Sequence, residues 1–176
     1  NRGSCERSSL EELATLQLSM VEALALAVES KDTSAIDHLH RMSTFTVGLG
    51  RQMGLKDAQL KALRAAAVLH DIGQVAVPDH IIMKPGRLTP EEYERLKVHP
   101  DVGRDIIERA RFPYPVAPIV RAHHERWDGE GYPRGLKGDR IPIEARVLAA
   151  VDTLVALTSQ RHYRPALSLD KAIEVV

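Results

Sequence analysis

Leu60-Lys61-Ala62-Leu63-Arg64-Ala65-Ala66-Ala67-Val68-Leu69-His70-Asp71-Ile72-Gly73 is the stretch whose reading decides the fold and the chemistry of this chain. Leu60, Leu63 and Ala67 recur at spacings of three and four, the period of one helix face, and His70 or Asp71 falls next on the same stripe. A surface helix places carbon there. This one ends in an imidazole and a carboxylate, and Gly73 then supplies a stop signal. An ionised aspartate on a core-facing stripe is costly unless something pairs with it, and a metal ion is the strongest partner available. The plainer alternative is a helix C-terminus at which His70 caps carbonyls and Asp71 faces water. The dipeptide alone favours the plainer reading, because polar residues gather at helix ends, and the rest of the chain reverses that.

Upstream, a helix carries His38, Met42, Phe45 and Leu49 on one face and closes at Gly54, so His38 is expected to look inward. A lone inward histidine is commonly a hydrogen-bonded core residue. Further upstream, Ser8 and Ser9 stand three residues before Glu11 and Glu12, two registers of a capping box, and Leu13, Leu16, Met20, Leu24 and Val28 keep helical spacing. Residues 1–28 read as a connector helix and residues 29–176 as the main domain, whose last helix stops short at Val176. Downstream, residues 74–88 read as loop. Thr89-Pro90-Glu91-Glu92 is an N-cap, a first-turn proline and two acids on the positive end of a helix dipole. That helix is expected to run to about His99 and stop at Pro100, with another over roughly 101–110. Ile119, Val120, His123 and His124 share one helical face, and Pro142-Ile143 opens a helix with Val147, Leu148, Val151, Asp152 and Val155 inward. No repeat and no convincing sheet appears. The fold class is all-α, about seven or eight helices.

Composition narrows the function classes. A chain of 176 residues with 44% hydrophobic and 27% charged residues is ordinary globular material, long enough for a real core. Lys+Arg 24 against Asp+Glu 24 gives no overall field toward DNA or an anionic membrane, so any anion site must be local. Cys5 stands alone and forms no internal disulfide, which fits a reducing, cytoplasmic setting. No apolar run approaches the roughly 20 residues that span a bilayer.

Taken together, His38, His70, Asp71, His99, His123, His124 and Asp152 give five imidazoles and two carboxylates from several helices. That is the ligand set of a dinuclear site for Fe, Mn or a similar first-row ion. Two ions about 3.5–4 Å apart, sharing a carboxylate, clamp both oxygens of an in-line phosphoryl displacement. A structural zinc site would more often use cysteine, and none is placed for it.

The order His38, His70-Asp71, Asp152 resembles the HD superfamily of metal-dependent phosphohydrolases. His99, His123-His124 and Gly131-Tyr132-Pro133 narrow the resemblance to the HD-GYP family of cyclic di-GMP phosphodiesterases. Pro78-Asp79, Lys84-Pro85-Gly86, His99-Pro100 and Asp128-Gly129 fit the same pattern. The resemblance implies an HD-type helical bundle around two divalent ions, with His38, His70, Asp71, His99, His123, His124 and Asp152 as ligands and Asp71 as the bridge. It implies hydrolysis of the bacterial second messenger to linear pGpG, and on to GMP, by in-line attack of a hydroxide bridging the metals. Tyr132 is placed at the substrate wall, and Arg161 and Arg164 on phosphate oxygens. It further implies an upstream sensory or receiver domain, and a Gly131-Tyr132-Pro133 loop open to partner signalling domains. The long first helix could also pair with a second copy.

Two departures matter. The family's usual lysine three residues after the motif aspartate is Gln74 here, a neutral amide near the expected scissile phosphate. Ser34 stands where some members have a glutamate for a third metal, so two metals are expected. Gln74 keeps a second reading open, a degenerate sensor or partner-binding module. The superfamily pattern alone also allows a phosphohydrolase for another nucleotide.

Overall fold

The computed structural model describes residues 35–159 and 165–176, together with Leu16, Ser19, Met20 and Ala23. The connector helix expected over residues 1–28 lies outside the described residues except at those four positions, which are helical. Arg161 and Arg164 lie outside them altogether. Among the described residues every regular element is helical. They are α1 (Ala35–Gln52), α2 (Asp57–Leu69), α3 (Asp79–Ile82), α4 (Pro90–Leu96), α5 (His99–Ala110), α6 (Val116–Ala122), α7 (Ile143–Thr158) and α8 (Leu169–Ile173), with 3-10 turns at Ile72–Ala76 and Gly138–Arg140. The all-α expectation holds.

α2 is the axle. Ala62, Leu63, Ala65, Ala66, Ala67, Val68 and Leu69 are all buried, and α1, α6 and α7 pack around it. The one-sided stripe expected from Leu60, Leu63 and Ala67 is therefore too narrow: a helix covered on several sides buries most of its surface. Its alanines let the neighbours approach closely, and Leu60 is left only half-buried at the rim.

α1 corrects a second expectation. Its inner stripe is Leu39, Met42, Thr46 and Gly50, whereas Phe45 and Leu49 are exposed. The cause is the close approach to α2: a Cβ on Gly50 would stand 2.9 Å from the Leu63 Cδ2 atom. The small residue, not the largest apolar ones, sets which side faces the core. Gly54, at φ +75°, ends the run as expected, with Leu55 N–H donating back to the Gly50 carbonyl at 3.0 Å.

The segment expected to be loop over 74–88 contains the first 3-10 turn and the short α3. α4 begins as expected: Glu92 N–H donates to Thr89 Oγ1 at 3.3 Å, and Thr89 N–H to Glu92 Oε2 at 2.7 Å, a reciprocal capping box. Its end does not match. α4 stops at Leu96, and His99 and Pro100 open α5 instead of closing α4. A proline in a first helical turn costs no hydrogen bond, because those N–H groups lack partners anyway. α5 is thereby laid against both the 3-10 turn and α6. α7 buries Val147, Leu148, Val151 and Val155, and Arg41 of α1 donates to Thr158 Oγ1 at 2.6 Å, tying the two helices at that end. No helix among the described residues is long and apolar enough to cross a membrane.

Candidate metal centre

Three histidines at helix junctions repeat one local device. His70 follows α2, His123 follows α6, and His99 lies just past the end of α4. Each folds its ring back so that Nδ1 meets the carbonyl three residues earlier: Ala67 at 3.0 Å, Val120 at 2.5 Å and Leu96 at 2.8 Å. Those carbonyls belong to last helical turns, which have no intrahelical donor. A carbonyl only accepts, so each Nδ1 carries the proton and each Nε2 keeps its lone pair. The arrangement that caps the helix also suits metal binding, since a backbone partner fixes the tautomer and aims the other nitrogen.

All three rings are about 1% exposed, and the aimed nitrogens converge. His99 Nε2 lies 3.5 Å from His123 Nε2 and 3.5 Å from Asp71 Oδ1. His70 Nε2 lies 3.4 Å from Asp71 Oδ2 and 3.9 Å from Asp152 Oδ1. Asp71 therefore divides its two oxygens between a His99 side and a His70 side. The His124 ring packs on His123 with centroids 4.0 Å apart and on His99 at 5.0 Å. One ligand atom from each of Asp71, His99, His123 and His124 falls within 4.8 Å of all the others. His38, half-buried on α1, stands outermost, its ring centroid 6.4 Å from that of His70. The structure thus brings together all seven His and Asp residues picked out by the sequence.

The donor set fits a cation. With their protons on Nδ1, His99 and His123 face each other with lone pairs, and His99 faces a carboxylate oxygen the same way. Such acceptor-to-acceptor contacts are unfavourable in a buried site until a positive charge stands among them. Electrostatics points the same way. Burial and the neighbouring imidazoles hold His123 well below the ordinary histidine range, and burial first, then His99, pushes His124 down to about 4. Burial opposes ionisation of Asp71, but the positive charge that His70, His123, His99 and His124 carry when protonated outweighs it and holds the carboxylate below its usual range. A neutral His123 and His124 beside an ionised Asp71 are ligand states that suit a divalent ion.

Tyr132 stands beside this centre. Its ring stacks on His124, centroids 4.8 Å apart at 29°, and meets Tyr93 edge-on at 6.1 Å. Burial, then Tyr93 and the carboxylates of Asp71 and Asp152, pushes its phenol up, so the hydroxyl stays a donor. Lys97 Nζ lies 4.7 Å from the Tyr93 ring centroid and 6.0 Å from that of Tyr132. Gln74 sits half-buried in the 3-10 turn, its N–H on the Asp71 carbonyl at 2.9 Å. Lys97 belongs to the stretch before His99-Pro100 that fits the family pattern, whereas Tyr93 and Glu125 do not stand out in the sequence as site residues. Glu125 had a signal, a carboxylate directly after His123-His124 and before three glycines; Tyr93 had none.

A family model described as HD domain matches residues 22–176, and the chain belongs to the HD-domain family. HD-domain phosphohydrolases are metal-dependent, and the Asp71, His99, His123 and His124 group is a fitting site for such an ion. The chain is 38% identical over 168 residues to the cyclic di-GMP phosphodiesterase response regulator RpfG of Xanthomonas campestris pv. campestris, covering 94% of this chain and 44% of that protein. It is 35% identical over 157 residues to the 3'3'-cGAMP-specific phosphodiesterase 3 of Vibrio cholerae, covering 89% of this chain and 34% of that one. The chain thus spans less than half the length of these curated relatives. Among solved structures, an HDG"Y"P protein from Bdellovibrio bacteriovorus shares the fold, with TM-score 0.66 and 19% identity over 93% of this chain and 56% of the other.

Proposed function

We propose that this chain is a metal-dependent phosphodiesterase domain of the HD-GYP type that hydrolyses cyclic di-GMP to linear pGpG, and pGpG to GMP as a further step. The observation that carries the reading is Asp71, whose two oxygens are split between the His99–His123–His124 side and the His70–Asp152 side. In this reading Asp71, His99, His123 and His124 would hold one ion, and His38, His70, Asp71 and Asp152 would hold a second, with iron or manganese the favoured identity. Ions bound there would supply a nucleophile from water at neutral pH and offset negative charge on the phosphate.

The chain's own residues then orient the substrate. Tyr132, kept protonated, donates to a phosphate oxygen or offers its open ring edge to a guanine. Gln74 contributes a neutral amide donor, and Arg161 and Arg164 grip phosphate oxygens. Water adds to phosphorus, the bond from phosphorus to the 3′ oxygen breaks, and that oxygen leaves with a proton as the 3′ hydroxyl. An upstream sensory or receiver domain, docking of signalling partners at the Gly131-Tyr132-Pro133 loop, a homodimer through the first helix and a cytoplasmic setting belong to the same reading; DNA binding does not.

The test is anaerobic purification, metal analysis, and turnover of cyclic di-GMP with added Mn or Fe, with 3'3'-cGAMP alongside. About two ions per chain and preferential release of pGpG are expected. Turnover of cGAMP alone moves the substrate. Tight binding of cyclic di-GMP without turnover favours a sensor, the reading that Gln74 supports.

A further inference from the structure

Glu125 is a carboxylate only 5% exposed that none of the roles above uses. Its two oxygens each accept a backbone N–H from the following loop: Arg134 N–H on Oε1 and Leu136 N–H on Oε2, both at 2.8 Å. The loop is pressed back on this point. A Cβ added to Gly131 would stand 2.3 Å from Arg126 N and 2.5 Å from Glu125 Cα, so only glycine lets the chain pass. Tyr132 N–H donates to the His124 carbonyl at 3.1 Å, and Gly138 N–H to the Trp127 carbonyl at 3.1 Å. The segment so fastened carries Tyr132, and its ring is the one stacked on His124.

We infer that Glu125 is a positioning residue. It latches the 132–136 segment behind His123-His124, and so holds Tyr132 at the substrate wall. The latch needs two acceptors side by side, because two N–H groups arrive from the same strand of loop. A glutamine of the same shape offers one oxygen and one NH2, and the NH2 would face an N–H, donor against donor. This role rests on the cyclic di-GMP reading for its catalytic consequence, whereas the latch itself is measurable without substrate.

Trp127, the only tryptophan of the chain, lies in the same loop with the Arg146 guanidinium 5.4 Å over its ring, and reports the loop's mobility. The experiment compares parent, Glu125→Gln, Tyr132→Ala and the double variant. Readouts are far-ultraviolet dichroism, metal equivalents, time-resolved anisotropy of Trp127, and steady-state kinetics with cyclic di-GMP. In Glu125→Gln, helicity and metal content should match the parent, and the fast depolarising component of Trp127 should grow. KM should rise about ten-fold with kcat changed less than about three-fold, and in the Tyr132→Ala background the same change should add under about two-fold. Unchanged anisotropy in Glu125→Gln overturns the latch. Equal cost in both backgrounds overturns action through Tyr132, and metal loss in Glu125→Gln moves the role to the ligand shell. A parent without turnover overturns the substrate reading, and the anisotropy then decides the latch alone.

Discussion

Gly73→Ala is the smallest change that should break this site from outside the ligand set. The 3-10 turn bearing Gly73 lies flat on the start of α5. A Cβ there would stand 1.9 Å from the His99 carbonyl oxygen, 2.6 Å from Gly103 N and 2.9 Å from the His99 carbonyl carbon. An ordinary carbon–oxygen contact is about 3.3 Å, so the turn and the helix must separate by roughly 1.4 Å. The obstructing atoms are backbone, and no side-chain rotation relieves them. The residues forced apart carry Asp71 on one side and His99 on the other, whose ligand atoms lie 3.5 Å apart. Overpacking of this kind costs about 1–3 kcal/mol, while the entropy gained on replacing glycine by alanine returns only about 0.4–1. A net loss of about 1–2 kcal/mol lowers the melting temperature of a chain this size by about 2–8 °C.

The functional loss should be larger, because a misplacement of about 1 Å costs roughly 100-fold in rate. The assay is thermal unfolding with and without Mn, metal equivalents, and turnover. Each ten-fold loss in affinity removes about 1.4 kcal/mol of the stabilisation the metal provides. Gly48→Ala, where nothing lies within 4 Å of the added Cβ, is the control and should be neutral or slightly stabilising. If Gly73→Ala stays within about 0.5 kcal/mol of the parent and binds metal fully, the packing argument is wrong.

Asp71→Ala should lose both ions, because removing the shared carboxylate leaves two incomplete half-sites; two retained equivalents by elemental analysis would show that Asp71 is not the bridge. Gln74→Lys should raise single-turnover hydrolysis about ten-fold or more at equal metal loading, by adding a charged donor that strengthens as charge builds on the phosphate, and equal rates would make that contact dispensable. The metal-free protein should weaken in acid. His124 is held down to about 4 against 6.5 unfolded, so stability is full above 6.5 and declines as pH falls toward 4, by on the order of 2 kcal/mol between pH 7 and 5. A urea midpoint unchanged over that interval after chelation would contradict the burial of His124.

The helices and the segments bearing histidine and aspartate are legible because both rest on local pattern. Spacings of three and four marked α6 and α7 correctly, and histidines and aspartates on apolar stripes are conspicuous wherever they fall. What stayed hidden depended on partners distant in sequence. Phe45 and Leu49 looked like core by their carbon content, yet Gly50 meeting Leu63 turned the other side of α1 inward. Pro100 reads as a stop in the sequence and is a start in the fold, because local sequence does not tell the end of one helix from the first turn of the next. Glu125 escaped because its partners are backbone N–H groups, which carry no residue identity at all.

The three carbonyl-bound histidines explain why fold and site come as one object. In most helix junctions the last carbonyls are satisfied by glycine turns or water. Here imidazole N–H groups satisfy one at each of three junctions, and the geometry that does so leaves three lone pairs facing inward. The metal-free chain therefore holds electrostatic repulsion in its centre that its helix ends cannot release, since turning any ring away would strip a buried carbonyl of its donor. A cation bound among them would relieve that repulsion. Groups preorganised in this way would bind a cation at little cost in ordering. The same rigidity makes the site vulnerable at Gly73, where the elements bearing Asp71 and His99 touch.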